Sequence, residues 1–247
     1  LKEWITVSKT RTVLVIASII FLLIVGGFLT WALTPLGPMD EALEALESDE
    51  EVVVSVSSDR LTFEPRREEF DTAFVIYPGG RVDHRSYAPF AREISAEGFL
   101  VVIEKMPLNL AFFGRDAAAE VIERYPDVEN WAVGGHSLGG VMAARFAVEE
   151  DVDGLVFWAS YPDEDISRKN ISVISIYGTR DGVTTVEDIE KRKDKLPEDT
   201  AFVKIEGANH AQFGWYGEQR GDHEATLTRE EQQEIVVNKT VRFLSDL

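Results

Sequence analysis

The feature that most constrains this chain is the recurrence of short apolar runs, rich in β-branched residues, with helix-like segments between them. Residues 72–80 (TAFVIYPGG), 99–106 (FLVVIEKM), 130–136 (NWAVGGH), 154–160 (GLVFWAS), 171–178 (ISVISIYG) and 201–207 (AFVKIEG) read as strands buried on both faces. A strand with one wet face would instead alternate apolar with polar residues. Helical patterns fall between most of them, at 87–97, about 114–124, 138–149 and 186–195, with a last one at 229–244. Thr228 caps that last helix and Glu231 completes the box. Such alternation predicts an α/β fold, a doubly wound and mostly parallel sheet with helices on both faces. Ahead of it, 51–58 (EVVVSVSS) and 60–65 (RLTFEP), separated by Asp59, alternate like two half-buried antiparallel strands and bring the expected sheet to about eight.

The chain has 247 residues, which suits one α/β domain, and 45% hydrophobic against 28% charged residues is enough apolar material for a packed core. A net charge of −19, from 25 basic and 44 acidic residues, argues against nucleic acid or any other polyanion as a partner. With no cysteine there is no disulfide, no thiolate metal site and no cysteine nucleophile. Neither a cofactor nor a metal is expected. Nothing in the sequence indicates an oligomeric state.

Residues 13–33 (VLVIASIIFLLIVGGFLTWAL) carry no charge over 21 positions, about the length a helix needs to cross the hydrocarbon core of a bilayer. No polar face interrupts them, so a single transmembrane helix is expected rather than a core helix. Lys2, Lys9 and Arg11 precede the span. Asp40, Glu41, Glu44, Glu47, Asp49, Glu50 and Glu51 follow it, and the next basic residue is Arg60. The positive-inside bias then predicts a cytoplasmic segment 1–12, a membrane helix 13–33 that stays uncleaved, an acidic linker 34–51 and an extracytoplasmic domain 52–247, tethered to the cell membrane. In the linker, Leu43 and Leu46 are the apolar points of a short helical pattern.

Open parallel sheets bind ligands at the carboxyl ends of their strands, so chemistry is sought just after the runs. Gly135-His136-Ser137-Leu138-Gly139 lies between a strand and a helix, where glycines at both flanks permit the sharp turn that exposes a serine nucleophile. A serine capping a glycine-rich turn is the plainer alternative. Asp181 follows the strand 171–178, with Asp163, Glu164 and Asp165 after the preceding strand as alternatives. His210 follows the strand 201–207 and is the best base among His84, His136, His210 and His223; alternation at the elbow tends to point His136 away from the nucleophile. A serine hydroxyl attacks only when a histidine takes its proton, and a carboxylate holds that imidazole in the right tautomer. Backbone amides for the oxyanion are expected from Leu138 and from the loop 77–83 (YPGGRVD), with Gly80 first and Arg81 second.

The elbow GGHSLGG, the oxyanion-type loop YPGG and the histidine loop GANHAQFG together resemble the α/β-hydrolase superfamily, from about residue 52 to the end. YPGGRVDHRSYAPFA, MPLNLAFFG and HAQFGWYGEQRGD resemble a small group of single-domain, often membrane-anchored members related to dienelactone hydrolases. The resemblance implies a serine hydrolase, cleaving a carboxylic ester or related acyl bond of a small-molecule or lipid-like substrate through an acyl-serine. A catalytically silent binding module of the same fold, and an acyltransferase or peptidase with the same trio, remain alternatives. Only YPDEDISRKN separates the strand 154–160 from the strand 171–178, which leaves no room there for a large cap. Phe112, Phe113, Trp215 and Tyr216 stand in loops that could line an acyl pocket. Arg81, His84 and Arg85 either meet an acidic substrate group or pair with Asp83 and surface acids. Two N-x-S/T triplets, at Asn170 and Asn238, are best explained by chance.

Overall fold

A computed structural model of the protein describes residues 9–66 and 69–247. The expected cytoplasmic segment 1–12, with Lys2, lies largely outside the described residues. Eight strands form one sheet: β1 (Val52–Val56), β2 (Arg60–Pro65), β3 (Thr72–Tyr77), β4 (Leu100–Glu104), β5 (Asn130–His136), β6 (Gly154–Trp158), β7 (Ser172–Gly178) and β8 (Ala201–Ile205), in the order β1-β2-β4-β3-β5-β6-β7-β8. β1 pairs antiparallel with β2, and β2 antiparallel with β4; every later pairing is parallel. β3 and β5 lie side by side at the centre, Tyr77 opposite Gly135, so the loops after them share one end of the sheet.

The two-residue period of a strand sends neighbouring side chains to opposite faces, and each face has its own core. Phe74 and Ile76 of β3 join Phe90, Trp158 and Val236 under helices α3 (Ala88–Ala96) and α7 (Arg229–Ser245), counted after α1 (Lys9–Ala32) and α2 (Asp40–Glu44). Ala73, Val75 and Tyr77 join Phe146 and Phe157 on the other face, under α4 (Ala117–Arg124) and α5 (Leu138–Glu149). Each fully buried large side chain of this kind contributes about 1.5–3 kcal/mol through removal from water. β8 departs from the expected two-sided burial: it is the edge strand, Lys204 is exposed, and Lys193 lies over the Phe202 ring. A charged edge blunts pairing with another chain.

Helix α1 is long and apolar enough to cross a membrane, and it stands clear of the domain until Ala32, the one fully buried residue of its last turn. The acidic stretch 34–51 is no loose spacer. Leu36 forms a parallel bridge with Val82, the Met39 amide donates to the Trp215 carbonyl at 2.8 Å, and Ala42 and Ala45 enter the core. Leu43 is exposed instead, because Ala42 of α2 and Ala45 just after it let the backbone approach closely while the carboxylates face water. Arg92 secures the segment from the domain side, donating to the Ala45 carbonyl and pairing with Asp49.

Candidate active site

Ser137 sits between β5 and α5 with φ 53° and ψ −123°, a left-handed backbone that costs a residue with a side chain about 1–3 kcal/mol. Its neighbours impose that turn. A Cβ on Gly139 would lie 1.9 Å from the Tyr77 carbonyl oxygen, and one on Gly135 would lie 2.1 Å from the same atom. The Ser137 amide donates to the Trp158 carbonyl at 3.0 Å, while the Ser160 hydroxyl donates to the Ser137 carbonyl at 2.6 Å. The Ser137 side chain makes no capping hydrogen bond to α5, so a helix cap does not explain the residue.

Asp181 and His210, in the loops after β7 and β8, are in direct contact: Oδ2 is 2.8 Å from Nδ1, and neither side chain is exposed. The other carboxylate oxygen accepts the amides of Val183 at 2.8 Å and Thr184 at 2.6 Å. An Nδ1–H donated to a carboxylate leaves Nε2 as the lone-pair nitrogen. That nitrogen is buried and has no hydrogen-bond partner. The alternatives are occupied elsewhere: Asp163 pairs with Arg145, Glu164 lies 3.8 Å from the same Arg145, and Asp165 accepts from Ser167. Of the other histidines, His84 sits against Asp83 and His223 is exposed. His136 is fully buried with its ring 4.4 Å from that of His210, so the histidine loop stands directly beside the elbow. Burial, and then the neighbouring His210, hold the His136 pKa well below the usual histidine value.

The loop after β3 closes over the start of α5. Gly80 faces Leu138, whose Cδ2 would be 3.1 Å from a Cβ added to that glycine. The Gly79 amide donates to the Tyr87 hydroxyl at 2.9 Å and the Arg81 amide to the Asn109 carbonyl at 2.7 Å. Arg81, the alternative to Gly80 as the loop's oxyanion donor, therefore has its amide already engaged, which leaves Gly80 between two committed neighbours. The basic side chains around this loop are also engaged. Arg85 and His84 contact Asp83, and their hydrogen bonds outweigh burial and hold that carboxyl below the usual range. The Arg81 guanidinium donates to the carbonyls of Trp31 at 2.7 Å and Thr34 at 2.6 Å.

Comparison with known proteins bears on the fold. The sequence profile of the alpha/beta hydrolase family matches residues 73–234, well over half of the chain. The chain belongs to the α/β-hydrolase family. Among solved structures, this hydrolase is similar to a protein from Thermus thermophilus (16% identity, TM-score 0.58, covering 79% of this chain and 97% of that one). It is also similar to a thermophilic esterase from the planctomycete Thermogutta terrifontis (16% identity, TM-score 0.54, 79% and 94% covered). At that identity the likeness concerns the fold. No curated protein matches the chain significantly.

Several residues that position the hydrolase's candidate site carried no signal in the sequence. Asp222 accepts the Gly182 amide at 3.0 Å through one oxygen and the Ala211 amide at 2.8 Å through the other, tying the aspartate loop to the histidine loop. Gln232 of α7 is fully buried and grips Asn209 by both its amide and its carbonyl. Arg229 gathers the carbonyls of Ala211, Gly214 and Gly217. The Tyr87 hydroxyl, which accepts from Gly79, lies 2.9 Å from His136 Nδ1. Trp215 and Tyr216, considered for an acyl pocket, are only 5% exposed and serve packing, whereas Phe112 and Phe113 are 60% and 49% exposed. Among the described residues no three His, Cys, Asp or Glu side chains are gathered as metal ligands would be.

Proposed function

We propose that this hydrolase cleaves carboxylic esters or related acyl bonds through an acyl-serine, with Ser137 as nucleophile, His210 as base, Asp181 as the carboxylate that orients it, and the amides of Gly80 and Leu138 as oxyanion donors. The observation that carries the reading is the buried Asp181–His210 pair, its Nε2 unpartnered and its imidazole ring 4.4 Å from that of His136 in the strained serine elbow. His210 takes the hydroxyl proton as Ser137 attacks the acyl carbon. The oxyanion forms against the two amides, and the imidazolium, stabilised by Asp181, then protonates the departing alcohol. Water, activated by the same imidazole, releases the acid. The esterase from Thermogutta terrifontis, similar in fold, fits this chemistry. The kinship to dienelactone hydrolases, the membrane anchoring by α1 and the extracytoplasmic side of the domain belong to the same reading.

A fluorophosphonate probe is expected to label the purified protein at Ser137, with labelling abolished in Ser137→Ala and His210→Ala. Undiminished labelling of the serine variant would overturn the assignment. A folded wild type that takes no label would instead indicate a silent binding module.

A further inference from the structure

We infer that the mouth of the candidate site opens onto the surface of the membrane that α1 enters, and that its substrate is an uncharged, long-chain acyl ester dissolved in that bilayer. The inference rests on the hydrolase reading above and extends it to a substrate class.

The connection runs through direct contacts. Trp31, Ala32 and Thr34, at the end of the apolar helix, offer carbonyl oxygens to the domain. Arg81 takes the first and third, and Asn109 takes the second at 2.9 Å. The Arg81 guanidinium also lies 4.6 Å from the centre of the Trp31 ring. Arg81 and Asn109 are joined to each other by the 2.7 Å bond from amide to carbonyl, and Gly80, next to Arg81, packs on Leu138 at the start of α5. The last turn of the helix is thus joined to the residue after Ser137 through the adjacent pair Arg81 and Gly80.

The helix itself fixes what surrounds that mouth. Its 24 residues span about 36 Å at about 1.5 Å per residue, slightly more than the hydrocarbon core, so its carboxyl end reaches headgroup depth. Among the described residues none from Arg11 to Trp31 is buried. Trp31 at that level has the place of an interfacial aromatic residue. Three residues beyond Asn109, Phe112 and Phe113 pack edge to face on each other and otherwise expose their rings, and Leu33 is 60% exposed. Adjacent exposed aromatic side chains in a loop bonded to the helix end are suited to the apolar boundary of a bilayer.

Lipid-like esters carry their ester group at headgroup depth, the level at which this mouth stands, whereas a water-soluble ester gains nothing from it. The net charge of −19 disfavours anionic headgroups and selects an uncharged ester.

The test uses the full chain reconstituted in phosphatidylcholine vesicles. Placement is read from an environment-sensitive dye on Phe112→Cys, feasible because the chain has no cysteine, with Asp127→Cys, in the turn before β5 at the far end of the sheet, as reference. The dye at 112 is expected to shift to the blue and to lose at least half its emission to a headgroup quencher, while the dye at 127 stays water-like. A water-like signal at 112 overturns the placement. Substrate class is read from 4-methylumbelliferyl oleate. Hydrolysis is expected to be at least 10-fold faster with the ester in the protein's own vesicles than in separate, protein-free ones, with 4-methylumbelliferyl butyrate turned over equally in both preparations. Equal rates for the oleate ester overturn it. If neither ester is cleaved and Ser137 takes no fluorophosphonate, the acyl-serine reading falls and the substrate class with it, while the dye at 112 still decides the placement.

Discussion

His210 Nδ1 lies 2.8 Å from Asp181 Oδ2 in a contact closed to solvent on both sides, and the second oxygen of Asp181 is held by two backbone amides. The carboxylate thus has one orientation and the imidazole one tautomer. Asp181→Asn keeps the shape: its amide oxygen still accepts from Val183 and Thr184. Its NH₂, however, faces Nδ1 and forces the proton onto Nε2, where it cannot accept from Ser137. We expect kcat to fall by about 10⁴ with the thermal midpoint little changed, in line with the loss of the correct tautomer in such triads. A kcat within tenfold of wild type in steady-state ester hydrolysis would refute the role.

Asp222 holds the two loops that carry Asp181 and His210 at a fixed separation. Asp222→Ala leaves the amides of Gly182 and Ala211 without that partner, at a cost of about 1–3 kcal/mol. Because sub-ångström misplacement of catalytic groups is expensive, kcat/KM should drop by about 10–100-fold. Urea unfolding and kcat/KM measured on the same preparations check both. Unchanged activity in a destabilised variant would show that Asp222 supports the fold only.

The sheet and the contact between the proposed trio's loops were legible because each rests on a local pattern. Two-sided burial writes itself as continuous apolar runs, and Ser137 lies in a turn where Gly135 and Gly139 face the Tyr77 carbonyl at distances no side chain tolerates. Residues that act across the chain left no such trace. Asp222 joins loops from two strands, and Gln232 reaches Asn209 over 23 positions. The seating of α1 on Arg81 was illegible for the same reason: an arginine beside a glycine-rich turn reads as a partner for a substrate anion or for a nearby acid, and only the folded chain brings the helix carbonyls to it. Edge position likewise decided β8, whose run of apolar residues resembles that of the central strands.

Tyr87 links the proposed oxyanion loop to the buried histidine next to Ser137. Its oxygen accepts from the Gly79 amide and shares a 2.9 Å hydrogen bond with Nδ1 of His136, an imidazole whose pKa burial holds well below the usual histidine value. Tyr87→Phe removes both interactions while preserving the ring. The variant should lose about 1–3 kcal/mol of stability, the cost of an unsatisfied buried polar group. A loosened Gly79 also shifts the neighbouring Gly80 amide, so kcat should fall while KM for a short ester stays within twofold. A rise in KM at constant kcat would indicate that the loop binds substrate instead of the oxyanion.

Glu104, at the end of β4, is a buried carboxyl whose pKa is pushed up to about 7, chiefly by burial and further by Asp59 and Glu120, against the attraction of Arg60. The folded protein therefore holds this proton more tightly than the unfolded chain, whose glutamate titrates near its ordinary 4.5. The contribution to stability is full below that value, declines as pH rises from 4.5 to 7, and is constant above. At 1.36 kcal/mol per unit the decline amounts to at most about 3 kcal/mol. Glu104→Gln removes the titration, and Arg60 keeps Asp59 and Glu120, each at 2.9 Å. Urea unfolding between pH 4.5 and 8 should show the wild type losing stability relative to Glu104→Gln as pH rises, with the variant equal or more stable at pH 8. Parallel profiles would mean that Glu104 stays ionised in the fold throughout, its burial offset by Arg60.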